Sequence, residues 1–282
     1  MADWTMDDVV RFAQQRHTAW AGLPVIDPIV ETHKFTNVFR VLDRGSQYLL
    51  HLMNECAYLE DALALSYLYR QVNKPSSMNT IISYNGGQLP TLYDVTNPSW
   101  IDEVVRPAAE ATQGPFLNGA YIILIKPGDK RGLIDKMIAT FPLAEDTLGR
   151  VANAPALANR VAILQTIDGV GPFLAMQIAT DLGYVEGEED QENDFVLPGP
   201  GSKNGMKAIG MPAIVDTLQS FPVDQIPPLP GSNGRLASLM DVQNVFCEFS
   251  KYVRYANKGQ TMGQSYQRHR PFKVKIPSQF KR

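Results

Sequence analysis

The sequence predicts an all-α protein built as two packed helical lobes. Three observations carry that expectation. Apolar residues recur at helical spacing over most of the chain. Only the run "PFLNGAYIILI" at 115–125 reads as a strand, and its length suits a buried helix as well. A glycine-bearing corner at 168–171 joins two apolar helical runs with no strand before it. At 282 residues and 44% hydrophobic content, the chain is long enough to bury a substantial core.

Taken in order, the opening "MADWTMDDVVRFAQQ" is acidic and amphipathic and carries no signal-peptide core. Residues 35–54 read as a helix with Val38, Leu42, Leu49 and Leu52 on one face. A densely apolar run follows at 56–72 and gives way to a Pro/Ser/Asn break at 75–79. "KPGD" at 126–129 is a turn signal, and a helix is expected after Gly128. Asn153, followed by Pro155, is expected to cap the helix that enters the corner. Residues 186–234 are rich in Gly, Pro, Ser and acid, with one short helix near 211–220. The last long helix spans 235–256, with Leu239, Val242, Phe246, Phe249 and Val253 spaced 3-4-3-4. These patterns divide the chain into an N-terminal lobe at 1–150, a second lobe at 151–257 and a basic tail at 258–282.

Composition narrows the chemistry. No run approaches the roughly 18 apolar residues of a membrane span, so no membrane association is expected. Cys56 and Cys247 are isolated, which suggests a reducing, cytoplasmic setting with no disulfide framework. The four histidines, at 17, 33, 51 and 269, form no cluster with ligand spacing, so neither a metal nor another cofactor is expected. A net charge of −3 is unevenly spread, because "EGEEDQEND" at 186–194 alone holds six carboxylates. The tail from Lys258 onward has no acid, and its cations, Arg268 and Arg270 among them, are interleaved with aromatic residues. Such a tail suits a phosphate backbone, and equally a solvated terminus.

The corner in "LQTIDGVGPFLAMQIATDL" has a physical logic. Gly169 and Gly171 allow the positive φ of a sharp turn, and Pro172 opens the next helix where its missing N–H costs nothing. The corner N–H groups are then free to meet a phosphate oxygen. No GxxxxGK[ST] occurs anywhere, which excludes an ordinary P-loop kinase. Apolar-x-G-V-G followed by an amphipathic helix resembles the helix-hairpin-helix element of DNA repair glycosylases. That resemblance implies that Gly169, Val170 and Gly171 hold a DNA phosphate without reading bases. It also implies a catalytic aspartate downstream, and Asp194 lies 23 residues past Gly171, although the acid and the Gly/Pro stretch that contains Lys203 stand in reversed order. Where bifunctional glycosylases carry a nucleophilic lysine, this chain has Phe173, which argues against a lyase step.

Two polar stripes complete the candidates. Arg40, Asp43, Arg44 and Gln47 fall at i, i+3, i+4 and i+7, and Asn244, Glu248, Lys251 and Tyr255 share a face of the last helix. "FTNVFRVLDRGSQYL", "GPFLAMQIATDL", "DFVLPGPG" and "QNVFCEFSKY" together resemble the alpha-glutamyl/putrescinyl thymine pyrophosphorylase-like family, the helical domain associated with 5-hydroxymethyluracil DNA kinases. The resemblance covers about residues 30–255 and implies a helix-hairpin-helix glycosylase scaffold acting on a modified base in DNA. It makes Asn37, Arg40, Arg44, Gln177, Asp181 and Lys251 pocket candidates, with Asp43, Asp194 and Glu248 for acid/base work or oxocarbenium stabilisation. Tyr48, Phe39 or Phe173 would stack on an extruded base.

The function expected is therefore excision of a modified pyrimidine from DNA by a monomeric, monofunctional glycosylase, suited to defence against phages with decorated bases. One alternative is a transferase that joins an amine or amino acid to phosphorylated 5-hydroxymethyluracil with release of pyrophosphate. A second is a non-catalytic DNA-binding module that partners a kinase.

Overall fold

The computed structural model describes residues 4–118, 130–187, 190–258 and 274–281, and the regular elements among them are all helical. The fold class is the all-α one expected. The chain forms two compact units, one from Met1–Asp43 with Glu192–Arg282 and one from Arg44–Gln191. The first unit is thus discontinuous in sequence, and the break expected at 150 falls inside the helix Glu145–Ala152. No helix among the described residues is long and apolar enough to cross a membrane. Helices are numbered along the chain.

The first unit holds α1 (Met6–Trp20), α2 (Pro28–Thr32), α13 (Pro200–Ala208), α14 (Val215–Gln219) and α15 (Leu239–Lys258). α15 is its axis. It starts at Leu239 and not at 235 because Ser238 and Asp241 form a capping box: Asp241 N–H donates to Ser238 Oγ (3.1 Å) and Ser238 N–H to Asp241 Oδ2 (3.0 Å). Val242, Phe246 and Phe249 are buried, as their spacing predicts.

The Gly/Pro stretch after Asp194, read from sequence as loop, is helical from Pro200 onward, with that proline in the first turn of α13. Its glycines let α13 lie directly on α15. A Cβ at Gly205 would collide with the Phe246 carbonyl oxygen, and one at Gly201 with the Cys247 sulfur. The end of the basic tail is anchored in this unit, since Phe280 is buried with the Arg235 guanidinium 4.0 Å from its ring centroid.

The second unit holds α3 (Arg44–Met53), α4 (Leu59–Val72), α5 (Pro75–Tyr84), α6 (Leu92–Thr96) and α7 (Pro98–Trp100), which runs through a π-helical turn at Ile101–Val105 into α8 (Arg106–Ala111). α9 (Lys130–Thr140), α10 (Glu145–Ala152), α11 (Leu157–Leu164) and α12 (Pro172–Glu186) follow. α4 is buried on every side from Ala62 to Val72, so it is the centre of the unit.

Three expectations are corrected here. The break at 75–79 is the first turn of α5, with Pro75 at the position a helix start tolerates. Asn153 caps the end of α10, donating to Gly149 O (2.8 Å), while α11 begins at Leu157. The cap of α11 comes from Gln191, whose Oε1 accepts the Leu157 N–H (2.7 Å) and whose amide donates to Pro155 O (2.9 Å). The helix expected over 35–54 is a 3-10 turn at Arg40–Leu42, an extended Asp43 (ψ 139°) and then α3, so the stripe from Arg40 to Gln47 lies on no single helix. Most of the strand-like run 115–125 lies outside the described residues, as do Arg268 and Arg270.

The close approach of α13 to α15 predicts that Gly205→Ala costs about 3 kcal/mol through overpacking. A melting temperature lower by roughly 6–12 °C would register it. Asn204→Ala, at an exposed position on the same helix, should change it little.

Candidate functional site

The corner in the second unit is built from α11 downward. Beyond the helix, 3-10 bonds continue the chain as Thr166 N–H donates to Ile163 O (3.0 Å) and Ile167 N–H to Leu164 O (3.1 Å). Ile167 and Val170 are buried and fix the corner from inside. Gly169 takes φ +77°, the left-handed conformation that favours glycine, but Gly171 does not: its φ of −74° and ψ of 169° are ordinary extended backbone. A Cβ at Gly171 would meet open space. The second glycine therefore serves neither the turn nor a contact within the protein, and it leaves the corner bare on its outer side. The N–H groups of Gly169, Gly171 and Leu174 meet no acceptor among the described residues.

The hairpin is clamped at its open end. Arg160 of α11 forms a two-bond ion pair with Glu186 of α12, Nη2–Oε1 being 2.6 Å, and its Nε donates to Ala154 O (2.7 Å). One further group stands near the corner. A Cβ on Gly169 would collide with the Lys136 ammonium of α9. Tyr67 of α4 is buried against Phe141 (centroids 4.5 Å apart), and its phenol is pushed above the ordinary tyrosine value by burial and then by the Asp168 carboxylate.

Asp181, a pocket candidate by sequence, is 2% exposed and fully engaged. Its two oxygens accept from Arg70 Nε and Nη2 (both 2.6 Å), and Oδ2 also accepts from Ser66 Oγ (2.8 Å). Gln177, one turn earlier, is buried too, whereas Phe173 is 39% exposed beside the corner. Tyr48 donates to Asn79 Oδ1 (2.6 Å) and lies 5.6 Å from the Tyr69 ring, and burial pushes its hydroxyl up to about 12. Arg44 is exposed in the first turn of α3.

In the first unit the "FTN" motif is a strap laid on α15. Thr36 N–H donates to Glu248 Oε2 (3.0 Å), Thr36 Oγ1 to Asn244 Oδ1 (3.2 Å), and Asn244 donates back to Asn37 O (2.7 Å). Asn37 donates to Leu42 O (2.8 Å), and Arg16 of α1 reaches Phe35 O (2.7 Å). The other Glu248 oxygen receives Lys251 (2.5 Å). Burial pulls the Lys251 ammonium down, and Glu248 more than offsets this, for a net upward shift. Glu248 and Asn37 are thus held in structural bonds.

Asp43 is half-buried at the step into α3, and Lys203 is exposed on α13. Asp194 is exposed in a turn and bonds to no described residue. Two residues before it, Glu192 is 5% exposed and pairs with Arg235, which also reaches Asp241 Oδ2 (3.0 Å). Arg40 is buried beside them, its backbone N–H donating to Asp241 Oδ1 (2.7 Å). Of this buried acid–arginine cluster only Arg40 was singled out by sequence. The one signal for the rest is the S-x-x-D cap at 238–241.

These features define an all-α protein with a bare hairpin corner in one unit and, in the other, a closing helix whose two acids, Asp241 and Glu248, are buried and bonded. The chain belongs to the family described as 5-hmdU DNA kinase, helical domain, which it matches over residues 4–261. That is the family expected from the "FTN", "DR" and "CEF" motifs. No curated protein and no solved structure matches the chain. The family's description connects it with modified pyrimidines in DNA.

The Arg70–Asp181 pair gives a measurable outcome. Asp181→Asn should cost about 3–5 kcal/mol by leaving the guanidinium buried without its charge partner. In urea unfolding, the double variant Arg70→Met, Asp181→Leu should recover part of that loss. Equal destabilisation of the single and double variants would contradict a desolvated pair.

Proposed function

We propose that the protein is an enzyme that takes a modified pyrimidine in DNA as its substrate and holds the DNA backbone at the corner 168–171. One observation carries the backbone contact. The outer side of Gly171 is open space, and the neighbouring N–H groups have no acceptor among the described residues. Backbone N–H groups at a helix start suit a phosphate and carry no base preference. Such a contact would suit a helix-hairpin-helix scaffold, with Phe173 beside the corner to fill the gap left by an extruded base.

For the reaction we favour excision. Asp194, unengaged and exposed, is the carboxylate free to face a deoxyribose as its C1′–N bond breaks. The base leaves with the bonding electrons and takes up a proton, and water adds to C1′ to leave an abasic site. Phe173 offers no amine, so no Schiff base forms and the strand stays whole until alkali treatment. Asp43 is the second acid nearest in role, with Arg44 and Lys203 as exposed cations for phosphates.

A second reading is favoured by the family's description, which names a kinase for 5-hmdU. A 5-hydroxymethyl group carried as its diphosphate ester is activated for displacement, and an exposed cation such as Arg44 would neutralise the departing pyrophosphate while an amine attacks the methylene carbon and gives up a proton.

Duplexes carrying thymine, 5-hydroxymethyluracil or its diphosphate ester, incubated with and without an amine, separate the readings. Excision gives alkali-labile strands, and Asp194→Asn should slow it by at least about 100-fold with DNA affinity unchanged. Transfer gives an intact, heavier strand. Strands that stay intact and unchanged in mass would leave only a DNA-binding module.

A further inference from the structure

Asp194 stands in a turn with no side-chain bond to any described residue, yet the chain on both sides of it is fixed. Two residues earlier, Glu192 is buried, accepts from Ser238 Oγ (3.1 Å) and pairs with Arg235. Asn193 lies on the surface, but its Oδ1 accepts the N–H of Leu239, first residue of α15 (3.0 Å). Two residues after Asp194, Val196 is buried. Only Asn193, Asp194 and Phe195 bridge the buried points at 192 and 196, and Asn193 is itself tied down. Asp194 is the one exposed side chain of this short arc that the fold leaves unused.

The anchor continues inward. Taking Glu192 out of water is unfavourable, and its partner offsets this only while the geometry of the pair is kept. Arg235 is therefore held from two further directions. Its Nη1 donates to Asp241 Oδ2 (3.0 Å), and the Phe280 ring covers its flat face at 4.0 Å. Phe280 is secured in turn, since its carbonyl oxygen accepts the Asn233 N–H (3.1 Å). Phe280, Arg235 and Glu192 are distant in sequence but form one chain of contacts within the first unit, and it ends two residues from Asp194.

We propose that Asn193 and the Glu192–Arg235 pair are positioning residues for Asp194, and that Phe280 acts through Arg235 as the outermost of them. This rests on the reading of Asp194 as the carboxylate that faces the deoxyribose. A catalytic group on a turn is aimed accurately only when the residues around it are locked. A carboxylate that stabilises a developing cation must also be in place before the bond loosens, because reorganisation during the reaction is what slows it. The end of the chain thus governs how fast the base is released, and not how tightly DNA is held.

The test is single-turnover excision by the full chain on duplexes carrying 5-hydroxymethyluracil or its diphosphate ester, read as alkali-labile strands. Duplex affinity is measured in parallel by fluorescence anisotropy. Asn193→Ala should slow excision by about 10- to 100-fold with affinity unchanged and the melting temperature close to that of the wild type. Asn193→Asp, which keeps the acceptor for Leu239, should restore the rate. Glu192→Gln and Phe280→Leu should also slow excision, whereas Phe280→Tyr, which keeps the ring on Arg235, should not. The double variant Asn193→Asp, Asp194→Asn moves the carboxylate by one residue and should be as slow as Asp194→Asn alone. If Asp194→Asn slows excision while Asn193→Ala, Glu192→Gln and Phe280→Leu keep the wild-type rate, the reading of Asp194 stands and the positioning roles are overturned. Rates that fall only in step with affinity and melting temperature overturn them as well. If Asp194→Asn excises at the wild-type rate, or the wild type excises nothing, there is no carboxylate to position and both fail.

Discussion

Two opposite charges removed from water together leave the helices that carry them little freedom to shift. Arg70 on α4 and Asp181 on α12 are each almost fully enclosed and meet through two bonds of 2.6 Å, with Ser66 completing the carboxylate. Their mutual attraction offsets a desolvation cost of several kcal/mol only while the geometry is kept. The pair therefore sets the register of α12 against the most buried helix of its unit. The corner depends on this, because it is the first turn of the same α12. Arg160 and Glu186 hold the far end of the hairpin in the same way, so the corner is presented by a helix fixed at two points along its length.

The features legible in the sequence were those that repeat. Helical periodicity gave the all-α class and the buried face of α15, and the glycines, proline and aspartate of 168–172 marked the hairpin. The family motifs were legible for the same reason, as unusual residues in fixed order. What a polar residue meets was not legible. Asn244, Glu248 and Lys251 share a helix face whether that face looks onto water, a substrate or the strap at 35–37, and only the fold shows it is the strap. The acidic run makes the same point. Glu192 and Asp194 look alike in a stretch of six carboxylates, yet one is buried on Arg235 and the other stands in solvent.

Glycine and proline misled most, because one residue type answers several different needs. Gly169 is required by a positive φ, Gly201 and Gly205 by the nearness of another helix, and Gly171 by nothing inside the protein. Read as loop formers, the glycines of α13 concealed a helix. Pro75 likewise marked the start of α5 and not a gap between helices. Asp43 did the reverse, interrupting with one extended residue a run whose apolar spacing looked continuous.

The discontinuity of the first unit carries a consequence for how the chain is made. The bond from Thr36 to Glu248 joins residues 212 positions apart, whereas everything from Arg44 to Gln191 belongs to one unbroken stretch. On a ribosome that stretch emerges whole and can condense early, while α1 and the strap wait with their aromatic faces uncovered until α15 is synthesised. The interval is the period of greatest exposure to aggregation and to chaperones. An arrangement of this kind has the topology of one domain inserted into another, and a circular permutant that joins the two arms of the first unit would bring α1 and α15 off the ribosome together.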